Sequence, residues 1–183
     1  KIGEGKREEA REDFSLLITV AFIFSIVLAA ICFIFMDPLC IFLGSDQALL
    51  PYCREYMIPT LLSLPFAVFG MIFQMSFITI GKAGLGAILS VLGGVINIVL
   101  DWLFIAIFNW GLLGAAIATG IGYALPSVIG LILFCVNRKV VLYVVKPKWR
   151  LKTILHSCAN GSSEMVRVLA FSVITVLFNR ILM

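Results

Sequence analysis

The chain has 183 residues, of which 62% are hydrophobic and 13% are charged, and its mean hydropathy is +1.12. A soluble domain carries about a quarter charged residues, because polar side chains must cover its surface. This composition therefore excludes a water-soluble fold. The net charge of +4 does not indicate nucleic-acid binding, since the charges lie at the ends of apolar blocks, as in membrane proteins.

Five apolar segments follow one another along the chain, and each is long enough to cross about 30 Å of hydrocarbon as a helix. They are predicted over residues 14–36, 57–80, 84–108, 112–136 and 162–183. In lipid a chain must satisfy its own backbone hydrogen bonds, so the predicted fold class is all-α, an integral membrane protein with a polytopic helix bundle. Short turns at 81–83 and 109–111 predict antiparallel neighbours in contact.

Proline and small residues modify these predicted spans. Pro59, Pro65 and Pro126 lie inside spans and are expected to kink their helices and to leave backbone carbonyls without partners. Small residues, including Gly93 in the third span and Gly122 in the fourth, are expected to let helices approach closely.

Lysine and arginine are distributed unevenly between alternate connections. Residues 1–13 contain four, the turn after the second span contains Lys82, and residues 137–161 contain six, whereas the opposite side contains Arg54 alone. The positive-inside rule predicts that residues 1–13, Lys82 and residues 137–161 are cytoplasmic, in a multi-pass protein of the plasma (inner) membrane.

The longest connection, residues 137–161, is the predicted boundary between two bundles. Leu151, Ile154, Leu155 and Cys158 recur in it at helical spacing, which predicts a short amphipathic helix lying on the cytoplasmic leaflet. This boundary divides the chain into residues 1–136, a first bundle with four predicted helices, and residues 162–183, the start of a second bundle. Because the chain opens on a lysine and ends within an apolar run, we expect it to be a piece of a longer protein.

Acidic residues inside apolar spans are the candidates for function, because an ionisable group in hydrocarbon costs a few kcal/mol. Asp101 and Glu164 meet this condition. Asn97 precedes Asp101 by one helical turn on the same face, and Thr119 lies at the depth of Asp101 on the next, antiparallel span. A carboxylate, an amide and a hydroxyl at one depth can hold a proton or a transient sodium ion. The alternative is a polar clamp between two helices.

Glu164 and two further polar residues, Gln74 and Tyr123, also lie in apolar spans. Glu164 follows residues 160–163, a typical helix start, so it either contacts a cavity or compensates a helix dipole. Gln74 and Tyr123 either line a cavity or hydrogen-bond neighbouring helices. Five cysteines without a CxxC pair and a single histidine predict no Cys/His metal site. The absence of a phosphate-binding loop or a hydrolase motif predicts a protein that is not an enzyme and has no cofactor.

Four stretches of sequence resemble one family of membrane transporters. They are YMIPTLLSLPF in the second span, NIVLDWLFI at 97–105, GLLGAAIAT at 111–119, and NGSSEMVRVLAFSVITVLFN in the last span. Together they resemble the multidrug and toxin extrusion (MATE) family, whose members have twelve helices in two lobes. The resemblance implies that this chain covers about helices 3 to 7, with residues 1–136 in the N-terminal lobe, residues 137–161 as the cytoplasmic inter-lobe loop and residues 162–183 at the start of the C-terminal lobe. It places Asn97, Asp101 and Thr119 in the cation site of the N-terminal lobe, with a contribution from Glu164 in some members.

The resemblance also implies a function. MATE proteins are secondary antiporters that export drugs or organic cations in exchange for protons or sodium ions by alternating access. The expected partners are small amphipathic or cationic substrates, membrane lipid and the remainder of the full-length chain, and not nucleic acid. The alternatives are a lipid or polysaccharide-precursor flippase of the same superfamily, and a non-transporting membrane scaffold. Such flippases often hold pyrophosphate with several basic residues, whereas the first four spans contain no lysine or arginine.

Overall fold

The computed structural model describes residues 6–136 and 141–182, apart from the side chains of residues 179, 180 and 182. Its elements are α1 (Arg7–Ile34), α2 (Met36–Phe42), α3 (Leu50–Thr79), α4 (Ala83–Asp101) with a following π-helical segment (Trp102–Ile107), α5 (Gly111–Val136) and α6 (Leu151–Leu182). Five of these helices are long and apolar enough to cross a membrane, which confirms the predicted all-α class and the five spans. Lys1, Arg138 and Lys139 of the predicted charge asymmetry lie outside the described residues.

Helix α3 lies at the centre of the bundle. It packs along α5 and also contacts α1 and α4, while α4 packs against α5. Aromatic side chains fill the core near one end, where the buried Phe134 ring stacks on Phe73 at a centroid distance of 5.4 Å and contacts Phe14 and Phe77. Aliphatic and aromatic side chains remain exposed on the outer faces of the helices, as lipid contact requires.

Helices α3 and α5 continue through their internal prolines. Pro126 has no N–H to donate, so the carbonyl of Gly122, four residues earlier, lacks its usual intrahelical partner. This carbonyl faces α4 closely, since a Cβ atom added to Gly93 would lie 2.7 Å from the Gly122 oxygen. The hydroxyl of Ser127 donates across to the Phe66 carbonyl of α3. The region around Pro126 therefore joins three helices at short range.

The predicted helix break at residues 160–163 is wrong. Helix α6 runs without interruption from Leu151 to Leu182, so the predicted short surface helix and the predicted last span are one element. Asn, Gly and Ser favour helix ends, but they stop a helix only where another backbone conformation is more favourable. Ser162 instead donates to the Ala159 carbonyl at 2.7 Å, and no proline follows Pro147. Glu164 therefore lies inside α6 and is not a first-turn residue.

The segment before α6, residues 141–150, returns along the start of α1, and we call it the return segment. Arg11 donates to the Val141 carbonyl at 2.9 Å, and its guanidinium lies 4.2 Å from the centre of the Tyr143 ring. Ser15 accepts from the Val145 N–H at 2.8 Å. The basic connection is thus fixed to the first helix by hydrogen bonds and a cation–π contact.

Glu12 adds an ion-pair cluster to this attachment. Its carboxylate binds both Lys148 and Arg150 of the return segment, and its side chain is only 17% exposed. We expect Glu12→Gln to weaken the attachment by about 1 kcal/mol, because both cationic partners are partly solvated. That loss corresponds to about a fivefold faster tryptic cleavage of residues 141–150 in the detergent-solubilised protein. Glu8→Gln, on the exposed start of the same helix, is the control, and equal cleavage of the two variants would contradict the prediction.

Candidate functional site

A cavity of about 310 Å³ opens between α3, α4 and α5. Its lining combines small residues with uncharged polar ones: Ala67, Gly70, Met71 and Gln74 from α3, Ser90, Gly93, Gly94 and Asn97 from α4, and Thr119, Gly122, Tyr123 and Pro126 from α5. These lining residues include no lysine, arginine, aspartate or glutamate. The cavity can therefore take an apolar or cationic group and offers it amide and hydroxyl contacts.

The cavity exists because glycines occupy the positions where the helices meet. A Cβ atom added to Gly122 would lie 3.0 Å from the Asn97 Cβ and 3.1 Å from the Gly93 carbonyl. A Cβ atom added to Gly94, by contrast, would meet nothing within 4 Å. The small residues of α4 and α5 thus serve close helix contact at Gly93 and Gly122, and leave open space at Gly94.

Asn97 and Thr119 meet at the wall of this cavity. The Asn97 amide Nδ2 donates to the Thr119 hydroxyl at 3.4 Å, and this hydroxyl donates to the Ala115 carbonyl at 2.9 Å. The sequence predicts Asp101 level with Thr119, whereas in the structure Asn97, one helical turn before Asp101, makes the contact with Thr119. Because the amide nitrogen faces Thr119, the Oδ1 atom of Asn97 keeps its lone pairs for another ligand.

Asp101 lies one turn beyond Asn97, at the last residue of α4, and is half-buried. Its Oδ1 atom is buried and is the one buried side-chain oxygen or nitrogen within the described residues that has no hydrogen-bond partner. A buried polar atom without a partner costs about 1–3 kcal/mol, and more when it is charged. Asp101 does not line the cavity itself, but it extends the polar face that Asn97 begins.

The π-helical segment Trp102–Ile107 follows Asp101 directly, and sequence reasoning missed it by predicting one α-helix over 84–108. Its end is held by the Trp110 N–H, which donates to the Phe104 carbonyl at 2.9 Å. Phe104 stacks on Trp110 and packs against Gly114, where an added Cβ atom would lie 2.8 Å from the Phe104 Cβ. Such π-helical turns are frequent at functional sites, and here one adjoins the unpaired carboxylate.

The remaining predicted site residues are divided between two places. Gln74 and Tyr123 line the cavity together with Asn97 and Thr119, Gln74 from α3 and Tyr123 from α5, one turn after Thr119. Glu164 is not among the lining residues. It is exposed on α6 and forms an ion pair with Arg167, whose Nε donates to Glu164 Oε2 at 3.0 Å. The structure therefore places Gln74, Asn97, Thr119 and Tyr123 on one cavity, with Asp101 one helical turn beyond Asn97, and leaves Glu164 apart from them.

Known proteins similar to this chain are membrane transporters. A curated relative, the FAD transporter of Shewanella oneidensis, is 31% identical over 124 residues, which are 64% of this chain and 27% of that protein. A solved structure, described as the inward-facing conformation of a multidrug resistance MATE family transporter of the MOP superfamily, matches with a TM-score of 0.80 and 21% identity. That match covers 86% of this chain and 36% of the solved one. This chain thus spans about a quarter of the curated relative and about a third of the solved structure.

The family model MatE matches residues 1–103, a range that ends just after Asp101 and includes Asn97. The structural similarity supports the same assignment at the level of the fold, since 86% of the chain superposes on a MATE family transporter. The resemblance seen in the sequence is thereby confirmed, and the chain belongs to the MatE family of membrane proteins.

Proposed function

We propose that the full-length protein is a secondary antiporter of the plasma (inner) membrane that exports drugs or organic cations in exchange for protons or sodium ions. Membership of the MatE family and the fold of a multidrug MATE transporter support a transport function. The observation that carries the coupling mechanism is the buried, unpaired Oδ1 of Asp101, one helical turn from the Asn97–Thr119 pair.

The three side chains offer the ligands that a small hard cation needs. Sodium ions, like other hard cations, prefer carboxylate, amide and hydroxyl oxygens, which Asp101, Asn97 and Thr119 supply. A proton needs only the carboxylate. Either cation removes the cost of the unpaired oxygen, so its binding stabilises the arrangement of α4 and α5 that holds it. In alternating access the cation then shifts the population between two arrangements by its different affinity for each.

The lining of the cavity supports an organic cation as the exported substrate. The Tyr123 ring and the Met71 thioether provide polarisable surface, and Gln74 and Asn97 provide hydrogen bonds. The alternative of a flippase for pyrophosphate-linked lipids finds no basic side chain among these lining residues. FAD is a second candidate substrate, because the relative from Shewanella oneidensis is a FAD transporter. Its two phosphates, however, find no counter-charge in this cavity.

Transport of two substrates by one preparation tests this assignment. In proteoliposomes that contain the full-length protein under an imposed proton or sodium gradient, we expect a fluorescent organic cation to move at least about tenfold faster than FAD. The reason is that the free energy of transfer from water into a neutral cavity is more unfavourable for the dianion FAD than for a monocation. Liposomes without protein are the control. Faster movement of FAD would make the flavin nucleotide the substrate, and movement of neither would refute the export function.

The proposed orientation puts residues 1–13, Lys82 and residues 137–161 in the cytoplasm, because these contain most of the lysine and arginine residues. In a cysteine-free background, we expect a membrane-impermeant maleimide to label Asp46→Cys from outside intact cells and to leave Lys148→Cys unlabelled. Permeabilised cells provide the control, since both positions should then react. The reverse pattern in intact cells would overturn the orientation.

A further inference from the structure

Three sulfur atoms converge where α2 meets the first turns of α3, far along the chain from the Asp101 site. The Cys40 Sγ lies 3.2 Å from the Met57 Sδ. Cys53, one helical turn before Met57, lines the same cavity as Cys40, and its own Sγ lies 3.4 Å from the Ser45 hydroxyl. The spacing of four residues puts Cys53 and Met57 on one face of α3, opposite Cys40.

The cluster borders a second cavity of about 430 Å³, which all three sulfur residues line. Its other walls are mainly apolar and aromatic, with Tyr52 and Tyr56 among them. Cys40 is only 3% exposed, and Cys53 is half-buried. The sulfur atoms are thus shielded from bulk water on one side, and the cavity gives a small ion a way in and room for the ligands to adjust.

We propose that Cys40, Cys53 and Met57 form a binding site for a soft monovalent metal cation, Cu(I) or Ag(I). Thiolates and thioethers are the ligands that such cations prefer over harder ones. No group of three His, Cys, Asp or Glu side chains converges in the described parts of the chain, so zinc and other borderline metals lack a comparable set. The prediction of no metal site covers cysteine and histidine ligands alone, whereas the proposed site also uses the thioether of Met57.

The geometry needs only a small adjustment to accept the ion. At a metal–sulfur distance of about 2.3 Å, two ligands of a trigonal or tetrahedral site lie about 3.8–4.0 Å apart. The Cys40–Met57 distance of 3.2 Å must therefore open by somewhat more than half an ångström. Both residues have flexible side chains, and the adjoining cavity leaves space for this movement.

The proton and charge balance of binding is simple. One monovalent cation and two thiols form two metal–thiolate bonds and release two protons. The thioether donates a lone pair and has no proton to release. The complex of one cation and two thiolates therefore carries one negative charge. Arg54 and Asp37 flank the cluster as an ion pair, with Arg54 Nε donating to Asp37 Oδ1 at 2.7 Å, so Asp37 opposes the negative charge that Arg54 favours.

The test is a competition between the purified full-length protein and a chromophoric Cu(I) chelator, in detergent, without oxygen and with a reductant. We expect one high-affinity Cu(I) per chain. Cys53→Ser is expected to weaken this binding at least about a hundredfold, the upper end of the loss that follows removal of a supporting neighbour of a ligand. Met57→Leu keeps the side-chain volume and is expected to weaken it about tenfold. Cys40→Ala removes the third ligand, and alanine is used because a serine at this buried position would bury its hydroxyl.

Cys135→Ser is the matched control, because it removes an exposed thiol from α5 and leaves the cluster intact. Equal affinity of the Cys53→Ser and Cys135→Ser proteins would overturn the site. An unchanged affinity of Met57→Leu would reduce it to a thiol pair and refute the three-ligand site. A Cys40–Cys53 disulfide that the reductant fails to open would also refute it, since no thiolates would remain for the metal.

Discussion

Replacing Asp101 by asparagine is expected to abolish cation-driven export while the full-length protein still folds and reaches the membrane. Asparagine keeps the size of the side chain and fixes a neutral group at the one buried, unpaired carboxylate oxygen of the described residues. The neutral amide no longer binds a proton and holds a sodium ion much less well. If the coupling free energy between the cation and the substrate is about 3 kcal/mol, its loss lowers the gradient-driven transport rate about a hundredfold. The measurement is export under an imposed gradient, with expression and thermal stability determined in parallel.

Two further variants are expected to reduce gradient-driven export less than Asp101→Asn does. Asn97→Ala and Thr119→Ala each remove a neutral ligand, so we expect reductions of about tenfold, smaller than that for Asp101→Asn. Thr119→Ser keeps the hydroxyl that accepts from Asn97 and is the matched control, with an expected rate near that of the unmodified protein. Export at the full rate by well-folded Asp101→Asn protein would show that the three residues only clamp α4 to α5.

The spans and the approximate place of the polar site could be predicted because each depends on local rules. A run of about 20 apolar residues predicts a membrane helix wherever the helix later packs. A short turn between antiparallel helices limits which residues share a depth, so Thr119 is predicted level with Asp101, and the observed contact forms one helical turn away, at Asn97. The lack of lysine and arginine in the cavity lining follows from the same spans, because they contain no basic side chains.

Other features could not be predicted because they depend on contacts between distant parts of the chain. The return segment is fixed by Arg11 and Glu12, more than 120 residues earlier, and no local pattern marks such partners. The sulfur cluster needs Cys40 to meet Met57 across a helix boundary. The continuity of α6 was missed for a different reason: Gly161 and its neighbours weaken a helix locally, but no competing structure ends it.

The contact between α4 and α5 beside the site leads to the second large expected effect. A Cβ atom on Gly93 would lie 2.7 Å from the Gly122 carbonyl oxygen, which is shorter than atoms tolerate. Backbone cannot rotate away as a long side chain can, so the two helices must separate. The Gly122 carbonyl also lacks its helical partner because of Pro126, and a wider gap would leave it further from α4. The contact at Gly93 thus holds both the helix spacing and the cavity wall.

We therefore expect Gly93→Ala to lower the stability of the full-length protein by about 1–3 kcal/mol, the usual cost of adding a methyl group to a fully packed contact. The melting temperature in detergent is expected to fall by several degrees. Gly94→Ala is the matched control, because its added methyl group meets nothing within 4 Å and alanine favours the helix. Export is expected to fall with Gly93→Ala even in the folded fraction, since separation of α4 from α5 lengthens the 3.4 Å Asn97–Thr119 contact. Equal melting temperatures for the two variants would mean that α4 and α5 are less closely packed at Gly93 than this arrangement requires.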